Sequence, residues 1–127
     1  LQRLPVPLVF DHFGRVPQPL PAGHAGLAVL RRLLGGGRAW VKLSAPYLES
    51  RDGTGEYADV GAVACALVST APERLVWGSD WPHPAALAGE RPLPDDAHLL
   101  DRLAAWAGDA AVLRRILVDN PAQLYGF

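Results

Sequence analysis

The chain has 127 residues, half of them hydrophobic, with 12 Lys plus Arg against 13 Asp plus Glu and a net charge of −1. That is one domain's worth of chain and enough apolar material to bury a core. Charges of both signs are spread along it, which argues against a basic footprint for nucleic acid or a polybasic membrane patch; no apolar run approaches the roughly 18–20 residues of a bilayer span, and no signal-peptide pattern opens the chain.

Pro7 to Phe10 is a first short apolar run and delivers Asp11, His12, Phe13, Gly14 and Arg15. Pro17, Pro19 and Pro21 then space out an extended loop, because each proline fixes its own φ and disfavours helix before it. From about Gly23 the pattern turns helical. Leu27, Leu30, Leu33 and Leu34 make one apolar stripe, and Gly35, Gly36 and Gly37 stop it. That glycine triplet follows a helix rather than a strand, so it is not a dinucleotide loop. Ala39 to Leu43 is a second strand-like run, ending in Ser44, Ala45, Pro46 and Tyr47; Lys42 inside it can point into a polar mouth at the strand end.

A flexible loop with Glu49, Arg51, Asp52, Gly53 and Gly55 follows. Tyr57, Val60, Ala64, Leu67 and Val68 define a second amphipathic helix, which Pro72 ends. Cys65 lies in this helix between two alanines and reads as buried filler. As the lone cysteine it excludes an internal disulfide and fits a reducing, cytoplasmic compartment.

Leu75 to His83, Leu-Val-Trp-Gly-Ser-Asp-Trp-Pro-His, begins as a buried strand bracketed by Gly78 and Pro82. A Pro- and Gly-containing loop spans residues 84–94. Asp95 or Asp96 caps the next helix, whose Leu99, Leu100, Leu103, Trp106 and Ala107 share a face, and Gly108 closes it. Asp109 caps a further helix carrying Val112, Leu113, Ile116 and Leu117. Asn120-Pro121 reads as a cap with proline in the first turn of a final short helix. His24 and His98 are expected at the surface.

Alternating strands and helices imply an α/β fold with a parallel sheet and right-handed crossovers. Three such strands fit either a small open doubly wound sheet or the C-terminal part of a (β/α)8 barrel. The chain contains no methionine and opens on Leu1-Gln2-Arg3 just ahead of a strand. The expectation is therefore a C-terminal piece of a longer protein, with residues 1–127 as a single domain, and the last part of a barrel is favoured over the open sheet.

All three strand ends carry polar groups: His12 with Arg15, Ser44 with Tyr47, and Ser79 with Asp80 and His83. In either architecture these ends converge on one face, where α/β folds place their chemistry. Asp80 can act as general base toward a water attacking a carbonyl, or ligate a divalent metal that generates the hydroxide. His12 can orient a carbonyl, bind a metal or shuttle a proton. Arg15 and Arg51 can grip an anionic substrate by bidentate hydrogen bonds; Ser44, Tyr47, Ser79 and His83 would line the mouth. No His-x-His or His-Glu-x-x-His occurs, and His12 and Asp80 are two candidate ligands where a catalytic zinc takes three. Gly-x-Ser-x-Gly is also absent, against a serine nucleophile.

Four blocks, Phe10 to Arg15, Trp40 to Tyr47, Leu75 to His83 and Asp119 to Phe127, resemble the C-terminal half of the amidohydrolase-2 family, nearest its 2-pyrone-4,6-dicarboxylate lactonase-like branch. The resemblance implies a TIM-like barrel and hydrolysis of a carboxylate-bearing lactone or related carbonyl substrate. Asp80 would match the aspartate after the last strand and His12 the histidine of a mid-barrel strand. In the lactonase branch that aspartate activates water without a metal; in the decarboxylase and other branches it belongs to a divalent-metal site, zinc or manganese. Leu48 and Glu49 stand where the lactonases carry a carboxylate-binding arginine, and Arg51 comes slightly later. The competing expectations are an inactive truncated barrel serving as an interaction module, prone to homo-oligomerise through its exposed strand edges, and a small open α/β binding domain.

Overall fold

A computed structural model describes residues 5–20 and 24–127. Pro21, the expected helix start at Gly23 and the first four residues lie outside the described set. Strands β1 (Leu8–Phe10), β2 (Ala39–Leu43) and β3 (Leu75–Trp77) form one parallel sheet in the order β1-β2-β3. Leu8 is in register with Ala39, and Val41 with Leu75. Helix α1 (Ala25–Gly35) joins the first pair and α2 (Ala58–Thr70) the second, as the alternating pattern requires. β2 is the central strand, with Val41 and Leu43 fully buried.

The core lies between the sheet and α1, α2 and α4 (Asp96–Ala107): Leu30 and Leu34 from α1, Val60, Val63, Ala64 and Leu67 from α2, and Leu103 and Ala107 from α4. α2 and α4 approach closely because Gly61 has no side chain; a Cβ there would fall 2.6 Å from Trp106 Nε1. The freed Trp106 ring packs edge-on against Phe13, 5.6 Å between centroids, tying the turn after β1 to the helical layer. Asp95 settles the choice of cap for α4, its carboxylate accepting from Ala97 N–H at 2.8 Å and His98 N–H at 3.3 Å. Asp109 likewise caps α5 (Ala110–Arg114) through Val112 N–H.

Five local expectations are corrected. Residues 84–94 are not all loop, because Pro84–Leu87 forms a short helix, α3, with proline pre-setting its first turn. Cys65 is exposed rather than buried: it lies on the outer side of α2, between buried Ala64 and partly buried Ala66. Leu100 is 40 % exposed, one position off the stripe of Leu99, Leu103 and Ala107. His98 is half-buried, its Nε2 donating to the Gly55 carbonyl at 2.9 Å.

The fifth concerns Asn120, which caps nothing. α5 runs without a break through a π-helical turn, Arg115–Asp119, into α6 (Asn120–Tyr125). The wide turn tolerates Pro121, whose missing N–H would break a tighter ladder. The Asn120 amide is buried and donates to the carbonyls of Pro72 at 2.8 Å and Leu75 at 2.6 Å, so it braces the entry to β3. Among the described residues no helix is long and apolar enough to cross a membrane.

Candidate active site

Each strand ends in a turn that the backbone enters through left-handed conformations at non-glycine residues. His12, Phe13 and Arg15 follow β1, Ala45 follows β2, and Asp80 and His83 follow β3, all with φ between 49° and 73°. Such conformations cost of order 1–3 kcal/mol each and persist only where the surroundings impose them. Here buried Phe13, Ala45, Tyr47 and His83 supply the packing.

The three turns bring His12, Ser44, Tyr47 and Asp80 together. His12 Nδ1 shares a 2.9 Å hydrogen bond with the buried Ser44 Oγ. His12 Nε2 lies 3.8 Å from Asp80 Oδ1. The Tyr47 hydroxyl donates to Asp80 Oδ2 at 2.5 Å, so one carboxylate oxygen is anchored while the other stands toward His12. The His12 and Asp80 side chains are 25 % and 16 % exposed, enough to meet a ligand while fixed on their other sides. Both line a cleft of about 330 Å3 with Arg15, Leu48, Pro84, Ala85, Glu90 and Arg91.

The remaining expected residues distribute as follows. His83 is buried, with Nε2 3.0 Å from Asp96 Oδ1 and its ring edge-on to Tyr47 at 5.9 Å; it supports Tyr47 from behind, and its Nδ1 has no hydrogen-bond partner among the described residues. Ser79 Oγ accepts from Trp81 N–H at 3.1 Å and so shapes the turn that presents Asp80. Arg15 reaches the cleft, but its Nε is 2.7 Å from Glu49 Oε1. Arg51 lies apart, on a neighbouring concavity of about 380 Å3 between the 50–57 loop and residues 91–94, where its backbone N–H donates to Asp59.

Sequence reasoning did not single out Arg91, Glu90 or Asp96. Arg91 and Glu90 lie in a Pro- and Gly-containing loop with no periodicity to mark them, and Asp96 carries no signal beyond that of a helix cap. Lys42 does what a lysine at a strand end suggested: its Nζ meets Asp11 Oδ1 at 2.6 Å across the β1–β2 mouth.

The Tyr47 hydroxyl stays protonated far into the alkaline range. Burial raises its pKa above the ordinary 10.0, and the hydrogen bond to Asp80 raises it further; Tyr57 moves the same way, by burial and the charge of Asp52. Above pH 10 the unfolded chain releases tyrosine protons that the folded chain retains. These tyrosines therefore lend stability that is fully present below about pH 10 and lost as pH rises further. Tyr47→Phe is expected to flatten the fall of unfolding free energy between about pH 9.5 and 11, measured by urea titration at each pH. An unchanged slope would refute this.

As to a metal, His12 Nε2 and Asp80 Oδ1 could serve as two donors. Among the described residues no group of three or more His, Cys, Asp or Glu converges, so they fall short of the three protein ligands of a catalytic zinc.

The polar cluster under the cleft lies at the carboxyl ends of a parallel sheet, the face on which (β/α)8 barrels place their active sites. The chain belongs to the amidohydrolase family: residues 1–127 match its family model, described as amidohydrolase. The 4-sulfomuconolactone hydrolase of Rhizobium radiobacter is 42% identical over 120 residues, 94% of this chain and 40% of that protein. The D-galactarolactone isomerase of Agrobacterium fabrum is 36% identical over 125 residues, 98% of this chain and 42% of that protein. An Agrobacterium tumefaciens protein solved in its apo form superposes with a TM-score of 0.85 at 35% identity, over 99% of this chain and 44% of that one. The chain thus spans about 40% of the length of the curated relatives it matches. The three-stranded sheet is accordingly a part of the family's barrel rather than a closed one.

Proposed function

We propose that these residues form the water-activating part of an enzyme that opens a lactone ring, with a small carboxylate- or sulfonate-bearing lactone as substrate. The observation that carries the reading is the posture of Asp80: Oδ2 is anchored by the Tyr47 hydroxyl and Oδ1 faces His12 at the mouth of a cleft. The lactone names of two relatives support the substrate class.

Asp80 takes a proton from a water as the water oxygen bonds to the lactone carbonyl carbon. His12, held by Ser44 through Nδ1, is placed for Nε2 to meet the carbonyl oxygen as negative charge develops there. Collapse of the tetrahedral adduct breaks the ring C–O bond, and the proton on Asp80 passes to the departing alkoxide. One water is consumed, and one hydroxyl and one carboxylic acid result. Tyr47 fixes the carboxylate throughout, as its own proton is not released near neutral pH. His12 and Asp80 are also the residues that would face a divalent metal in a fuller ligand set, where the metal would polarise the carbonyl.

The intact gene product containing these residues is expected to open 4-sulfomuconolactone or D-galactarolactone, followed in a pH-stat as one proton released per ring opened. Failure to open any anionic lactone in such a panel would reject the reading.

A further inference from the structure

We propose that Arg91 sets the substrate class at this cleft, its guanidinium holding the anionic substituent, a carboxylate or sulfonate, of the lactone presented to Asp80. The inference rests on the assignment of lactone opening to Asp80.

Three arginines lie around the site, and their surroundings separate them. Arg15 is matched by a carboxylate of the protein itself, Glu49 Oε1 at 2.7 Å from its Nε, so its charge is already countered before a substrate anion arrives. Arg51 lines the neighbouring concavity and not the cleft of His12 and Asp80. Arg91 lines both, standing in the wall they share. Its Nη1 donates to the Glu90 carbonyl at 3.1 Å and its Nη2 to the Leu48 carbonyl at 3.2 Å. Both acceptors are neutral, so the guanidinium is held in place, and among the described residues neither an ion-pair partner nor a further acceptor engages it. Glu90 lines the same cleft but is not among the ion-pair partners of Arg91 in the described residues.

Pre-positioning matters to the energetics. A guanidinium already anchored by two backbone carbonyls gives up less rotamer freedom when it grips an anion, and its planar fork suits carboxylate and sulfonate oxygens. The anion also meets repulsion in this cleft, from Asp80 and Glu90, and Arg91 offsets it. An uncharged lactone would gain nothing from Arg91, so the residue acts on specificity and leaves the chemical step to Asp80.

The test uses the intact gene product with 4-sulfomuconolactone as the charged probe and δ-valerolactone as the uncharged one. Arg91→Gln is expected to raise KM for 4-sulfomuconolactone at least about tenfold, with kcat changed by less than about threefold. Turnover of δ-valerolactone stays as in the wild type, which also reports an intact fold, and Arg91→Lys recovers part of the loss. Calorimetric binding of 4-sulfomuconolactone to an Asp80→Asn background, with and without Arg91→Gln, gives a readout independent of turnover. Equal effects on both lactones, or none on either, overturn the proposal. If the wild type opens neither lactone, the lactone reading fails and Arg91 is judged on binding alone: tenfold weaker binding in Arg91→Gln upholds it, and unchanged or absent binding overturns it.

Discussion

Asp80→Asn in the intact gene product is expected to lower kcat for lactone opening by at least about 10²-fold, the range general-base catalysis contributes. Asparagine keeps the size of the side chain, and its Oδ1 can still accept from the Tyr47 hydroxyl that now anchors the carboxylate. What it loses is the capacity to take a proton from water. KM should change far less than kcat, because Arg91 rather than Asp80 holds the substrate in this scheme. The cleanest measurement is the single-turnover rate, which isolates the chemical step from product release. Turnover near the wild-type rate would remove Asp80 from the mechanism.

Asn120→Ala is expected to destabilise the fold by about 2–4 kcal/mol, although the residue lies on a helix far along the chain from any site residue. Its amide donates to the Pro72 and Leu75 carbonyls from a fully enclosed position. Truncation leaves two acceptors without their buried donor and a small void where the amide stood. The loss should appear as a lower urea midpoint with an unchanged slope, the signature of altered stability rather than altered compactness. Asn120→Asp should do no better, since a carboxylate can fill the space but cannot donate. Because Asn120 braces the start of β3, and Asp80 follows its end, some loss of kcat is expected as well. A loss of unfolding free energy below about 0.5 kcal/mol would show that the bonds to β3 carry little.

How much of this the amino-acid order reveals depends on how local the cause is. The strands and main helices are visible because apolar period and punctuation agree: Leu27, Leu30 and Leu34 repeat at helical spacing, and glycine closes the run. The gathering of His12, Ser44, Tyr47 and Asp80 is also foreseeable, since parallel strands present their carboxyl ends together. The partnerships inside the cluster are not. That Tyr47 anchors Asp80, and that Arg15 is paired with Glu49, follows from left-handed turns that no propensity of Phe or Ala favours. Asn120 misleads for a related reason. Asn followed by Pro is a sound cap signal, yet the π turn carries the helix through it and frees the amide for a contact 45 positions away in sequence. Cys65 misleads because helix α2 is apolar almost all round, and composition cannot tell its inner from its outer side.

The left-handed turns also bear on how portable these motifs are. Ser79-Asp80-Trp81-Pro82-His83 and Phe10-Asp11-His12-Phe13-Gly14-Arg15 contain the residues proposed for catalysis, but the letters do not encode their own shape. Two of the five residues in the first segment, and three of the non-glycine residues in the second, sit where an L-residue resists staying. Cut out as peptides, or spliced into a loop of another scaffold, they would relax to right-handed or extended backbone and scatter their side chains. The working unit to transplant is therefore the sheet with Phe13, Ala45, Tyr47 and His83 packed beneath the turns, and a search for distant kin should weight those packing positions alongside the polar ones the turns present.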